Sequence, residues 1–168
     1  MKYLFRRKDI PYLLLTMILG TLNHFLYDFT GQNPVAALIA PVNESVWEHM
    51  KLLFFPFLLF SLIEYAIRRP RASCFFGARF AGIWIGMLTV IFLFYGYSGI
   101  LGMDILFLDI LLLYIGIVVA YAASARFGKR FCHKDLLTIF LWWTATSLLF
   151  FLFTCFPPEL PLFLPPAD

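Results

Sequence analysis

His24 and Asp28 stand four residues apart, and Glu44, Glu48 and His49 follow close behind them in a chain otherwise poor in polar groups. An imidazole and a carboxylate at that spacing share one helix face, where the acid can fix the ring tautomer and raise its basicity. This suits a metal ligand, a proton carrier or a general base; the plainer alternative is a His–Asp hydrogen bond that closes a helix end. Asp28 would lie at a helix C-terminus, where the dipole disfavours an anion, so a partner is expected for it. Asp109 stands alone inside an apolar run. An intramembrane carboxylate is expensive unless it pairs, protonates or binds a cation, which makes it a site candidate.

These residues sit mostly in the stretch 24–51, which reads H-F-L-Y-D-F-T-G-Q-N-P-V-A-A-L-I-A-P-V-N-E-S-V-W-E-H-M-K. Its candidate ligand-binding residues are His24, Asp28, Asn43, Glu44, Glu48 and His49, with Asp109 joining from further along. Two His and a carboxylate suffice for a Zn²⁺ site with an open fourth position, and His24, His49 and Asp109 are the expected ligand set for such a divalent cation. Structure competes for several of them. Ser45 and Glu48 have the spacing of a capping box, and Lys51 can neutralise Glu48 through an i, i+3 contact. No H-E-x-x-H and no G-x-S-x-G occurs.

The elements that must position these groups are membrane helices. With 168 residues, 62% of them hydrophobic and 14% charged, 21 Phe and a mean hydropathy of +0.85, the chain has more apolar surface than a soluble domain of its length can bury. The bilayer is its expected solvent, and 1–168 reads as one transmembrane domain. The net charge of +3 reflects basic residues at membrane boundaries, so nucleic acid is not an expected partner. Three Cys, far apart and without C-x-x-C, indicate neither a disulfide framework nor a thiolate metal site. The basic N-terminal segment precedes an apolar run with no A-x-A spacing after it, which reads as an uncleaved first span.

Apolar runs long enough to cross about 30 Å predict an all-α bundle of five transmembrane helices near 10–29, 46–68, 74–97, 104–125 and 136–156. A re-entrant or interfacial loop is expected over 30–45 and an extended Pro-rich tail over 157–168. Twelve of the thirteen Lys and Arg fall on one side of that bundle and only Lys51 on the other. Positive-inside bias then places the N-terminus in the cytoplasm and the C-terminus outside a cytoplasmic (inner) membrane. Pro56 interrupts the second helix. Small residues recur every fourth position, as Ala78, Gly82 and Gly86 in the third helix and Gly116, Ala120 and Ser124 in the fourth. Such stripes pack helices within a bundle, or across a homo-oligomer or against a partner subunit. The hydroxyls of Thr144, Thr146 and Ser147 are expected to bond their own helix.

Depth arithmetic brings the polar groups together. His24 lies about 20 Å and Asp28 about 27 Å from the inner boundary, Glu48 and His49 lie near the outer one, and Asp109 is about 8 Å below it, with Asp104 as a cap. All fall in the outer third of the membrane. No comparable cluster is expected at the inner end, where Glu64 and Arg68 form an ordinary i, i+4 pair and Arg79 snorkels.

The string P-V-N-E-S-V-W-E-H-M-K at 41–51, preceded by H-F-L-Y-D and G-Q-N-P, resembles the signature of a family of small, uncharacterised bacterial integral membrane proteins, a domain of unknown function. The likeness covers most of the chain. It implies the same topology and points to the same stretch, and names no reaction. Three functions fit the sequence: binding or transport of a cation or small polar solute, a metal-dependent membrane-embedded hydrolase or transferase acting on lipid or envelope substrates, and a structural or accessory membrane protein.

Overall fold

A computed structural model describes residues 7–165. After a short turn at Arg7–Asp9 come α1 (Ile10–Asn23), α2 (Leu26–Phe29), α3 (Pro34–Ala37), α4 (Val46–Arg68), α5 (Ala72–Leu101), α6 (Leu106–Phe127) and α7 (Leu136–Cys155), with no strand among the described residues. Four of these, α4 to α7, are long and apolar enough to cross a membrane. Large apolar side chains such as Leu62, Leu88, Phe92 and Leu148 face outward from them, as lipid solvation demands. The chain is a multi-pass membrane protein.

The first expected span is not one continuous helix. α1 has 14 residues, or about 21 Å, and ends where the Phe25 N–H bonds Leu22, three residues back, before the chain winds into α2. This tightened turn carries no Gly or Pro to announce it. No side-chain hydrogen bond joins His24, at the end of α1, to Asp28 in α2.

Helix boundaries otherwise follow the apolar runs. α4 starts where Ser45 Oγ accepts the Glu48 N–H, and α7 where the Asp135 carboxylate accepts the Thr138 N–H. At the head of α6 the N-cap is Ile105, with no side-chain cap, so Asp104 is not the expected cap. Thr146 and Ser147 bond carbonyls four residues back in α7.

α5 and α6 form the most extensive pair, and the two small-residue stripes are its contact. A Cβ on Gly86 would lie 2.6 Å from the Gly116 carbonyl oxygen, and one on Gly82 would collide with Ser124 and the Ala120 backbone. α1 packs on α4, where Gly20 faces the Leu52 carbonyl: a Cβ there would sit 2.7 Å from that oxygen. Pro56 has no N–H to offer Leu52, so the absent side chain of Gly20 lets α1 approach an oxygen that the helix itself leaves free. Thr16 and Thr21 tie α1 to Tyr121 and Tyr114 of α6, at 2.9 and 3.0 Å.

Two further expectations are corrected. Antiparallel packing of α5 and α6 brings the start of one beside the end of the other, and a disulfide joins Cys74 to Cys132 across 58 residues; Cys155 is free. The Pro-rich tail folds back instead of extending: the Leu162 carbonyl accepts the Trp47 N–H at 2.9 Å, and Phe163 is buried against Trp47 and Phe153, both at 5.0 Å. That carbonyl satisfies one of the unpaired N–H groups at the start of α4. Residues 166–168 of the expected tail lie outside the described residues.

Candidate metal centre

A buried cation builds this end of the molecule. Lys51, fully buried, donates to the carbonyls of Ala37 at 2.7 Å and Ala40 at 3.3 Å and to Glu48 Oε2 at 2.6 Å. Glu48 accepts in addition the Val42 N–H at 3.0 Å and the Thr154 hydroxyl at 2.8 Å, while Asn23 donates its amide to the Ile39 carbonyl at 2.7 Å. The end of α3 and the loop that follows it are therefore pinned at four backbone positions by side chains of α1 and α4. Asn43 finishes the job locally, accepting the Ser45 N–H at 2.9 Å in an Asx turn that leads into the Ser45 cap. Glu44 lies between those two residues, so its carboxylate is delivered to the first turn of α4.

There it meets two imidazoles. His24, Glu44 and His49 each offer a ligand atom, and the three atoms lie within 4.8 Å of one another. The His rings are 5.4 Å apart between centroids, and His49 Nε2 is 3.3 Å from Glu44 Oε2. His49 Nδ1 lies 3.0 Å from the Ser45 carbonyl, which can only accept, so Nδ1 carries a proton. Nε2 then faces a carboxylate oxygen. The ring must either be an imidazolium or direct a lone pair at a cation held between the two groups. His24 has a buried Nδ1 without any hydrogen-bond partner among the described residues. The hydrogen bond from His49 holds the Glu44 carboxyl below its ordinary 4.5, against a smaller opposing effect of burial.

With that geometry in place the comparison with known sequences can be stated. The chain belongs to DUF6512, a family of unknown function. The family profile matches residues 2–167, while no curated protein and no solved structure matches the chain.

Of the residues expected at the site of this DUF6512 chain, the fold gathers His24, Glu44 and His49, with Glu44 standing where the expected metal set had Asp109. Asp28 is exposed on α2 and makes no side-chain hydrogen bond to His24. Asn43 shapes the turn, and Glu48 spends both oxygens on Lys51, Val42 and Thr154 without reaching back to complete a capping box. Asp109, half-buried, accepts the Tyr97 hydroxyl and lies within electrostatic range of His49 and Glu44. It faces the same end of the bundle from behind a tyrosine.

Sequence reasoning missed a second cluster, at the opposite end. Asp9, Glu64 and Arg79 are almost fully buried there: Arg79 Nη2 donates to Glu64 at 2.5 Å and lies 3.5 Å from Asp9, and Arg68 Nη1 donates to Glu64 at 2.7 Å and lies 3.7 Å from Asp9. The Arg79 guanidinium is stacked 4.5 Å over Tyr121. The i, i+4 pair is present, but Arg79 does not snorkel. Its position inside an apolar run was the available signal, since an arginine there requires acids at its own depth.

Proposed function

We propose that this protein is a five-span inner-membrane protein, N-terminus inside, that binds a divalent transition-metal cation at its outer face through His24, Glu44 and His49. The observation that carries this reading is His49: one ring nitrogen is committed as donor to a backbone carbonyl, and the other confronts a carboxylate. That is the hydrogen-bonding pattern of a metal-ligating histidine with its supporting acceptor. Two imidazoles and a carboxylate favour zinc over magnesium or calcium, which prefer oxygen donors. The apolar packing beneath the site, where Met50, Leu53, Phe54 and Phe57 are buried in α4, favours binding over passage through the bundle. The small-residue stripes are buried between α5 and α6, which leaves other faces for a homo-oligomer or partner subunit.

A second reading is supported by the ligand count. Three protein ligands leave a fourth position for water, as in a metal-dependent hydrolase working at the membrane surface, and Asp109 lies within electrostatic range of His49 and Glu44. Elemental analysis of the purified protein and calorimetric titration with Zn²⁺ after chelation test the primary reading. One zinc per chain is expected, lost in His24→Ala and His49→Ala, weakened in Glu44→Ala and retained in Asp28→Asn. Highly purified protein that neither carries zinc nor takes it up at micromolar concentrations would overturn the proposal.

A further inference from the structure

The basic end of the bundle holds a cavity of about 80 Å³ lined by Asp9, Arg71, Cys74, Ala78, Arg79 and Ser124, with Ala125 and Gly128 among the rest of its wall. Roughly 10–15 Å³ of such space admits one water, so the cavity takes a group of several heavy atoms. Three features set its chemistry. The N-terminus of α5, a 30-residue helix, opens onto it through Arg71 and Cys74, and the N-cap residue Arg71 supplies no side-chain cap. Arg79, only 3% exposed, lines it, and Nη1 of that guanidinium has no hydrogen-bond partner among the described residues although Nη2 is paired with Glu64. A buried donor left without an acceptor is costly, the more so on a charged group, and Arg79 is one of the residues that line this cavity. The exposed Arg71 stands at the rim.

The one opposing charge is Asp9, whose Oδ1 is already held by Arg79 and Arg68. Glu64 is likewise engaged by both arginines. Arg71 is left without a counter-ion among the described residues, and the first turn of α5, Arg79 and Arg71 all border a space of a few atoms. A tetrahedral oxyanion fits that combination better than a carboxylate, because it presents oxygens in three directions at once.

We propose that this cavity binds a phosphoryl group, carried by an anionic phospholipid or present as free phosphate. It is a separate site from the metal centre, at the other end of the bundle. The test uses full-length protein in an uncharged detergent and phosphate-free buffer, titrated calorimetrically with inorganic phosphate and, in parallel, examined by native mass spectrometry for retained phosphatidylglycerol against phosphatidylcholine. Two variants leave the buried Asp9–Glu64–Arg68–Arg79 network intact: Arg71→Gln at the rim, and Ala125→Leu, which puts bulk into the space without altering charge. We expect one of the two probes to bind, with about tenfold weaker binding in Arg71→Gln, the loss of one charge-assisted contact, and none in Ala125→Leu. Phosphate binding assigns the free ion; selective retention of phosphatidylglycerol without phosphate binding assigns a lipid headgroup. Failure of both probes to bind, or binding that Arg71→Gln leaves unchanged, would overturn the proposal.

Discussion

Removing the Lys51 ammonium while keeping its length, as in Lys51→Met, tests the architecture of the metal-bearing end. The substitution strands Glu48, 2% exposed, without its cation and leaves the carbonyls of Ala37 and Ala40 without a donor. Breaking a buried pair from one side costs about 3–5 kcal/mol. Glu48 keeps the Val42 N–H and the Thr154 hydroxyl, so the lower end of that range applies, about 3 kcal/mol. For a chain of this size each kcal/mol moves the midpoint by about 2–4 °C, so Tm should fall by about 6–12 °C.

Thermal unfolding followed by tryptophan fluorescence in a mild detergent measures that shift, and Lys51→Met/Glu48→Gln completes a double-mutant cycle. The double variant removes the stranded charge and should recover part of the loss, leaving the two carbonyls as the residual deficit. Because the same lysine fixes the loop that carries Glu44, Zn²⁺ affinity should fall as well. A loss below about 1 kcal/mol, the value of a solvated surface pair, would refute the reasoning by showing that water replaces the ammonium.

Gly86→Val should destabilise by about 1–3 kcal/mol, read in the same assay, because its Cβ would meet the Gly116 carbonyl at 2.6 Å and Ala120 at 2.9 Å; an unchanged Tm would mean that α5 and α6 can separate freely. Glu44 sits below its ordinary 4.5, so its contribution to stability is complete above that pH and disappears as pH falls through the lower folded value; Glu44→Gln should flatten that acid limb in a pH series of Tm. Zn²⁺ uptake should release protons near neutral pH, seen as a calorimetric enthalpy that varies with the ionisation heat of the buffer, since His49 must give up a proton to ligate. Purified protein without reductant should expose one thiol to a maleimide reagent, Cys155, and three after reduction and denaturation; three under both conditions would contradict the Cys74–Cys132 bond.

The helices were legible because lipid imposes a length and a composition on them, and α4 was legible to the residue because Ser45 marks its start and the basic cluster its end. The α5–α6 stripes were legible for the same reason: small residues every fourth position have few other uses in lipid. What the sequence hid depends on tertiary geometry that spacing does not encode. Cys74 and Cys132 are 58 residues apart and meet only because two helices pack antiparallel. Glu44 displaces Asp109 as the third neighbour of the two histidines because the loop path is set by Lys51, Asn23 and Glu48 side chains reaching backbone atoms elsewhere.

The two ends of the bundle illustrate one physical rule applied twice. At each end charged groups are taken out of water, and at each the fold satisfies most of their valences and leaves one open: an imidazole nitrogen on His24 and a guanidinium nitrogen on Arg79, neither with a hydrogen-bond partner among the described residues. The surroundings have opposite character. At the loop end Glu44 stands beside the histidines with Asp109 in electrostatic range, which suits a cation; at the basic end Arg71 and a helix N-terminus border the same cavity as the arginine, which suits an anion. Asp9 went unassigned in the sequence, where it directly follows the basic run Arg6-Arg7-Lys8. Arg79 was the better clue: an arginine buried inside an apolar helix needs acids at its own depth, and Glu64 and Asp9 were the acids near that boundary. Pairing every intramembrane charge with its opposite by depth, before assigning any to a site, would have found both clusters.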